Sequence, residues 1–531
     1  MILAACLRFY EIGRLPLWLD EAYSFWFSRQ SFHSLWTFVP TFETHPPVYY
    51  SLLRIWRVFG DDEAALRSLS AVLGILAVAA VYLLGRIVGG PRDGAWIGFG
   101  AGLIFAISPI QIQYAQEARS VMAVTLIVSI TLCGAAWLMR HSSSACLPFF
   151  GVTAGAAARP SPKWAWLALI GGAGASLWLH NLAPVFVFSI GTAMIVWLAF
   201  QLAWNRSFVL NGVLACVAVF MLWAPWLPWL LKQAEAVSTV FWMKAPTLVQ
   251  IIGAIYFFFG AKYSWPIEAY AAQPALLSEP GSAGSADGLA GGAVWLAAHL
   301  GLGALAATGL WLVGRKYGWQ LATLLVSVMI LPILLTLLAT FTIRPIFAPR
   351  TLIWVSVPFY VALAAGITVT NRAWVRGLVL AALFVLFGYG SLNYYADHEK
   401  EPWDQIAEMV KAGSGPGDVV VAVPNSVEIP LAYYLGDRQA DLPVYGLPDP
   451  FPAIGLTNPY PAGIAAVPAI TPADVQALQS RIDGLSSGWL ITRADALFDP
   501  DGLVAKTLSE DKSLSLKGSY AKDNILVYRF D

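Results

Sequence analysis

Charged residues are scarce in this chain of 531 residues. Asp, Glu, Lys and Arg make up 12% of the sequence and hydrophobic residues 58%, whereas soluble domains carry about 25% charged residues. This shortage excludes an ordinary soluble protein. The 32 basic residues balance the 32 acidic ones, so the chain also lacks the excess of positive charge with which proteins bind nucleic acid.

Cysteine is rare as well. The chain has four, Cys6, Cys133, Cys146 and Cys216. All of them lie in or near apolar segments, and their spacing is not that of a metal site, so the sequence argues against a disulfide framework or a cysteine-bound metal. We expect these side chains to act as small buried apolar groups.

Apolar runs and aromatic residues are abundant. The mean hydropathy is +0.64, and the 23 Trp and 20 Tyr suit anchoring at membrane interfaces. A spanning helix needs about 20 apolar residues, and suitable runs lie at 64–89, 95–110, 119–139, 164–182, 184–203, 208–230, 291–313, 318–341, 349–370 and 377–393. Residues 1–10 supply only about half a span, and we expect the first helix to begin upstream of the given start. The sequence predicts an all-α membrane domain of about 11 transmembrane helices.

Basic residues fall in alternate loops between these spans. They are Arg86 and Arg92, Arg140 with Arg159 and Lys163, Arg206, Arg315 with Lys316, and Arg372 with Arg376. Because basic loops stay in the cytoplasm, the loops with Asp20, Glu117, His180, Lys232 and Arg344 are predicted to face outward. The apolar stretch 249–261 must then not cross, and we expect an interfacial or re-entrant piece there. We predict a multi-pass membrane protein whose outer loops lie on the non-cytoplasmic side.

The membrane domain is predicted to cover residues 1–393. Its first outer loop, 14–63, is predicted to hold two helices that lie in the membrane plane, at 20–38 and 45–59. Asp20 is a possible N-cap of the first of these helices. A second outer loop covers 232–290.

The tail, 394–531, is richer in charge and is predicted to lie outside the membrane on the periplasmic side. Apolar runs at 418–423, 488–492 and 524–528 predict strands, and helices are expected at 402–412 and 472–483. This alternation predicts a small α/β domain.

Several short motifs occur in one order along the chain. They are LWLDEA at 17–22, HPPVYY at 45–50, EAALR at 63–67, YLLGR at 82–86 and YAQEAR at 114–119, followed by weaker matches, FAPRT at 347–351 and EPWD at 401–404. With these motifs the chain resembles the membrane glycosyltransferases of the C-type fold. The most similar groups are the dolichyl-phosphate-mannose protein mannosyltransferases and the bacterial transferases that add aminoarabinose to lipid A.

This resemblance implies inverting transfer of one sugar, a hexose or a pentose, from a polyprenyl-phosphate donor to a hydroxyl of a lipid, glycan or protein. An acceptor hydroxyl must lose its proton as it attacks, so a carboxylate base is needed. The family's loop carboxylate corresponds to Asp20, and the neighbouring Glu21 is expected to assist it or to position a basic group. The alternative for Asp20 is a plain helix N-cap. No metal is expected, although a divalent ion is possible.

Cations and polar groups on the outer side are the candidates for holding the donor phosphate or the substrate. They are His45, Tyr49, Tyr114, Glu117, Arg119, His180, Lys262, Arg344 and Arg350. Structural alternatives exist for five of them: a Glu117–Arg119 ion pair, an interfacial anchor at Arg350, a helix cap at His45, and a satisfied polar helix end at His180.

Two other functions compete with this interpretation. A ligase or polymerase would move a preassembled lipid-linked glycan, and its donor would carry a pyrophosphate. A transporter of lipid-linked sugars would need ionisable residues near the middle of the membrane or paired broken helices. The charges of this chain lie instead at helix ends, which favours the transferase.

Overall fold

The computed structural model describes residues 1–141, 163–201, 206–239, 243, 245–261, 286–453, 470–482, 487–521 and 524–531. Lys262, one of the predicted phosphate ligands, and Cys146 lie outside these residues. The described chain is a bundle of long apolar helices followed by a small domain with a sheet of five strands.

Four short helices precede the bundle. They are α1 (Ile2–Phe9), α2 (Leu19–Arg29), α3 (Phe32–Thr37) and α4 (Val48–Trp56). The prediction of an Asp20 cap is wrong: the N-cap of α2 is Trp18, and Asp20 lies inside the first turn. Glu21, three residues after Trp18, accepts the Trp18 N–H through its side chain at 3.4 Å, so the helix begins earlier than predicted. His45 is not a cap either, because α4 begins at Val48 after Pro47 and has no side-chain cap.

The helices of the bundle overlap the predicted spans, except for the short helices at 109–115 and 248–259. They are α5 (Glu63–Ile107), α6 (Pro109–Ala115), α7 (Val121–Arg140), α8 (Lys163–Leu179), α9 (Ala183–Gln201), α10 (Arg206–Trp223), α11 (Leu227–Thr239), α12 (Leu248–Phe259), α13 (Ala286–Leu312), α14 (Trp319–Thr342), α15 (Ser356–Ile367) and α16 (Ala373–Asp397). Among the described residues, 7 helices are long and apolar enough to cross a membrane. Helix α12, with 12 residues, is short for a span, in line with the expectation for 249–261.

Helix α5 is two helices joined at a sharp break. Gly90 has a φ of 59° and a ψ of −154° there, a conformation that favours glycine. The two halves fold back on each other, and a Cβ on Gly85 would lie 2.7 Å from the Cα of Gly98. Small residues let two membrane helices approach this closely. The predicted spans 64–89 and 95–110 are therefore the two halves of α5.

Polar contacts collect at one end of the bundle, which we call the Gly90 end. Arg376 lies 3.1 Å from Asp93 Oδ1, and the Tyr317 hydroxyl donates to Asp93 Oδ2 at 2.6 Å. Arg140 donates to the carbonyls of Ile87 and Val88, which end the first half of α5. The structure thus brings together several of the loops predicted to share the cytoplasmic side. The opposite end, where α2 lies, is called the α2 end.

The tail has one mixed sheet with the strand order β2-β1-β3-β5-β4. Its strands are β1 (Val419–Val423), β2 (Val444–Gly446), β3 (Gly488–Arg493), β4 (Leu514–Tyr520) and β5 (Ile525–Phe530), and its helices are α17 (Trp403–Gly413), α18 (Glu428–Leu435), α19 (Pro472–Ile482), α20 (Asp495–Phe498) and α21 (Leu503–Asp511). Strands β1, β2 and β3 are parallel, whereas β5 is antiparallel to β3 and β4. Alternate residues of β1 enter two separate cores, so both faces of the sheet are covered.

The tail packs directly on the first outer loop. The Tyr434 hydroxyl accepts the Leu17 N–H at 2.6 Å and donates to Glu63 at 2.8 Å. The ring of Phe451 lies 5.3 Å from that of Tyr23 on α2. These contacts place the tail against the helix that carries Asp20.

Candidate active site

Asp20 lies between two arginines from distant parts of the chain. Its Oδ2 atom is 3.0 Å from Arg350 Nη1 and 3.5 Å from Arg119 Nη2, and Arg119 also donates to the Asp20 carbonyl at 3.1 Å. Although Oδ2 is buried, it accepts no hydrogen bond of good geometry. Two positive charges therefore lie beside Oδ2, while the Asp20 side chain as a whole stays 19% exposed.

Each arginine is positioned next to Asp20 by the segment that carries it. Arg119 lies in the turn between α6 and α7, and Arg350 begins the 3-10 helix Pro349–Val355. The Arg350 guanidinium lies over the Trp18 ring, 5.5 Å from its centre, which restricts its position through a cation–π contact. The structure thus brings together the predicted site residues Asp20, Arg119 and Arg350.

The electrostatics of Asp20 are those of a permanent carboxylate. Burial raises its pKa, but the positive charges of Arg350 and Arg119 outweigh that effect, and the net result is a pKa below the ordinary value. One negative charge thus faces two positive ones. That arrangement can attract an anion of charge −1.

Glu21 points the opposite way, as expected for neighbours that diverge by about 100° on a helix. Its carboxylate is fully buried and bound by Arg67 at 2.8 Å through both oxygens, by Lys400 at 2.8 Å and by the Ala118 N–H at 2.9 Å. Burial raises the pKa of Glu21, and Arg67 and Lys400 outweigh this and lower it. These contacts favour the positioning role for Glu21 over direct assistance to Asp20.

The tripeptide Glu117-Ala118-Arg119 contacts both carboxylates of α2. Ala118 binds Glu21 and Arg119 binds Asp20, and no ion pair within the described residues joins Glu117 to Arg119. The predicted Glu117–Arg119 pair is thus replaced by the Arg119–Asp20 pair. Burial raises the pKa of Glu117, and the positive charge of Lys400 only partly opposes this.

A narrow crevice, too small to hold a water molecule, lies beside Arg119 and is lined by His45 and Tyr49 among others. His45 Nδ1 lies 2.5 Å from Glu43 Oε1, and its ring is 5.0 Å from that of His180. His180 Nδ1 accepts the Leu182 N–H at 3.0 Å, as expected for a satisfied helix end. Burial, with the charges of His45 and Arg119, holds the pKa of His180 well below its ordinary value.

The remaining predicted residues contribute in different ways. The Tyr49 hydroxyl lies 3.1 Å from Ser70 Oγ. Tyr114 is buried in α6, where its ring contacts Phe257. Arg344 follows α14 and is half-buried, and its guanidinium makes no ion pair or hydrogen bond within the described part of the chain.

Three residues of this network carried no role in the sequence analysis. They are Arg67, Lys400 and Glu401, which hold Glu21 and the start of α2. Arg67 and Glu401 belong to the motifs EAALR and EPWD, so the motifs were the available signal. Their pairing with α2 could not be read from sequence spacing.

A metal site has no counterpart in the described ranges. No three His, Cys, Asp or Glu side chains come together there in a way that could hold a metal ion. The residues that the structure describes therefore do not fit a metal centre, and the expectation of metal-independent chemistry stays a prediction.

No family model and no curated protein matches the sequence. Solved structures do match the fold. ArnT from Cupriavidus metallidurans bound to undecaprenyl phosphate is 13% identical, with a TM-score of 0.57 over 99% of this chain and 96% of that chain. The Archaeoglobus fulgidus oligosaccharyltransferase in the apo form is 12% identical, with a TM-score of 0.55 over 99% of this chain and 73% of that chain. A third match is the archaeal oligosaccharyltransferase AglB from Archaeoglobus fulgidus in complex with an inhibitory peptide and a dolichol-phosphate. It is 11% identical, with a TM-score of 0.54 over 99% of this chain and 72% of that chain.

At these identities the likeness concerns the fold. The chain has the fold of the C-type membrane glycosyltransferases, as the sequence predicted, with a helical membrane domain and a small α/β tail.

Proposed function

We propose that the chain is an inverting glycosyltransferase that moves one sugar from a polyprenyl-phosphate donor to an acceptor hydroxyl. The observation that carries this proposal is Asp20 held between Arg119 and Arg350 at the α2 end. The fold adds support, because solved structures of the same fold contain undecaprenyl phosphate or dolichol-phosphate.

Asp20 acts as the general base. Its partly exposed carboxylate accepts the proton of the acceptor hydroxyl while the hydroxyl oxygen attacks the anomeric carbon from the side opposite the phosphate. The bond from the anomeric carbon to the phosphate oxygen breaks, its electron pair leaves with the polyprenyl phosphate, and the configuration inverts.

Arg119 and Arg350 hold the leaving phosphate. Guanidinium groups bind phosphate oxygens in pairs and stabilise the charge that develops as the bond breaks. Binding of the phosphate also changes Asp20: because its negative charge offsets part of the positive charge of the two arginines, the pKa of Asp20 rises and the carboxylate becomes a stronger base. Donor binding thereby prepares the base for the reaction.

The charge balance favours a monophosphate donor over the alternative ligase function. A phosphodiester brings a single charge to the two arginines paired with Asp20. A pyrophosphate donor would bring a second negative charge close to Arg119, on which Glu43 and Glu117 already act. The fold likeness to an oligosaccharyltransferase keeps the ligase as the second candidate.

The site belongs, in this proposal, to the periplasmic face of a bacterial inner membrane. The membrane domain covers 1–393 and the periplasmic domain 394–531, and the acceptor is a lipid, a glycan or a protein of the cell envelope, such as lipopolysaccharide. The support is the alternation of basic loops, several of which meet at the Gly90 end, away from Asp20.

The test is donor turnover by the purified chain in lipid nanodiscs, with mass spectrometry of the lipid that copurifies. We expect bound polyprenyl phosphate and consumption of a polyprenyl-phosphate sugar, and Arg119→Met should reduce turnover roughly 10²- to 10³-fold. Lys232→Met is the matched control, since Lys232 is an exposed cation on α11. Consumption of only a pyrophosphate-linked oligosaccharide would establish the ligase, and no turnover of either donor would refute both candidates.

A further inference from the structure

Two consecutive residues in the connector between bundle and tail contact the first turn of α2. Lys400 and Glu401 lie between α16 and α17. Lys400 Nζ is 2.8 Å from Glu21 Oε2, and Glu401 Oε2 accepts the Leu19 N–H at 2.8 Å. Their contacts lie on the residues directly before and after Asp20, and we call this pair the connector clamp.

Both residues of the connector clamp are charged and buried. Lys400 is 8% exposed and Glu401 is not exposed at all. Buried charges are costly unless they are well paired. Lys400 is paired with Glu21 on α2 itself. Glu401 is paired with Arg493 of the tail and also accepts the Leu19 N–H of α2, so both clamp residues keep all their contacts only when α2 is in this position.

Residues of the tail hold Glu401, one of the two clamp residues, in place. Arg493, the last residue of β3, donates to Glu401 Oε1 through Nε at 2.9 Å and Nη2 at 2.7 Å, while the Trp403 indole donates to Oε2 at 2.6 Å. The first amides of a helix have no partner within that helix, and the Leu19 amide finds its partner in Glu401. A continuous series of hydrogen bonds therefore runs from the tail sheet to the turn that carries Asp20.

We propose that Lys400 and Glu401 are positioning residues that set the place of Asp20, so that sugar transfer requires a docked tail. The proposal rests on the proposed function, in which Asp20 is the base. Neither residue contacts the substrate. A shift of about 1 Å in a catalytic group lowers the rate roughly 10²-fold, so a small movement of α2 suffices.

The first test is Glu401→Gln in the full chain. The amide keeps the size of the side chain but places an NH₂ group against either Arg493 or the Leu19 amide, so one set of donors loses its acceptor. We expect kcat to fall roughly 10- to 100-fold with an unchanged KM for the donor, because the phosphate ligands Arg119 and Arg350 are untouched. Hydrogen exchange at the first turn of α2 should accelerate. Glu408→Gln, the same change on the exposed side of α17, should alter none of these.

The second test compares two changes at Lys400. Lys400→Met removes the charge that faces Glu21, whereas Lys400→Arg keeps it. We expect Lys400→Met to lower kcat and to accelerate exchange at α2, and Lys400→Arg to restore most of both. If Lys400→Met does not fold, Glu401→Gln decides alone.

The outcomes separate the clamp from the proposed function. An unchanged kcat in Glu401→Gln, or a lower kcat with unchanged exchange at α2, overturns the clamp while the transferase stands. If the parent chain turns over no donor, the proposed function fails. In that case hydrogen exchange at the first turn of α2 tests the connector clamp by itself. Faster exchange in Glu401→Gln supports the clamp, and unchanged exchange overturns it.

Discussion

The two ends of the helix bundle both contain buried ion pairs, but they balance their charges differently. At the Gly90 end, Asp93 faces one arginine, Arg376, and its other oxygen accepts the Tyr317 hydroxyl. At the α2 end, Asp20 faces two arginines, and its Oδ2 accepts no hydrogen bond of good geometry. The first arrangement is saturated, whereas the second places two positive charges against one carboxylate.

This difference separates a structural pair from a candidate site. A buried pair with matched charges and satisfied oxygens holds helices together and offers nothing to a ligand. A second arginine against one partly exposed carboxylate is costly without a partner, so its presence favours binding of an anion there. The first two predictions below compare the two ends directly.

Asp20→Asn should have the largest effect on turnover. The amide keeps the size of the side chain but cannot take a proton, so we expect kcat to fall roughly 10²- to 10⁴-fold. Asp93→Asn makes the same change at the Gly90 end and should leave the kcat of the folded protein unchanged. Equal losses from the two changes would remove the distinction between the ends. The measurement is initial turnover of a polyprenyl-phosphate sugar.

Arg376→Met should lower the stability of the protein without lowering its turnover. It leaves Asp93 buried without its cation, which costs about 3–5 kcal/mol of stability, while the folded fraction keeps its kcat. Chemical denaturation in detergent with tryptophan fluorescence measures the loss, and Arg372→Met, a change at an exposed position nearby, is the control. A large fall in kcat of the folded fraction would connect the Gly90 end to the chemistry.

Low pH should destabilise the α2 end, because Glu21 becomes protonated and loses its charge. Its pKa is lowered on folding from the ordinary value of 4.5, so its stabilisation is fully present above that pH and is lost as the pH falls toward the folded pKa. The melting temperature of the parent should therefore decrease between pH 5 and lower pH, as Arg67 and Lys400 lose their anion. Glu21→Gln has lost the anion at every pH and should show a smaller decrease. The same decrease in both proteins would show that another group is responsible.

Much of the fold followed from local patterns. Apolar runs gave the positions of the spans, and strands β1, β3 and β5 lie where their apolar sequences predict them. Strand β2 has three residues, and β4 is an edge strand that is largely exposed, so neither has a continuous apolar run to signal it.

The site was predictable only in part. Asp20, Arg119 and Arg350 come from short motifs, and the structure brings them together. The partners of Glu21 are separated from it by 46 residues for Arg67 and 379 for Lys400, and no local pattern encodes such pairing. The same holds for Glu401 at Leu19, since a buried charge finds its partner only through the tertiary fold.

Arg344→Met should have the smallest effect and tests how far the phosphate site extends. Arg344 lies in the segment between α14 and Arg350, and in the part of the chain that the structure describes its guanidinium makes no ion pair or hydrogen bond. A half-exposed cation of this kind attracts the donor phosphate only at a distance and contributes about 0–1 kcal/mol to the free energy of donor binding. Its loss should therefore raise the donor KM at most about fivefold. The rise should vanish at high salt, because added ions screen charges that are not in contact. A larger rise that persists in salt would show direct contact with the phosphate and would extend the site along this segment.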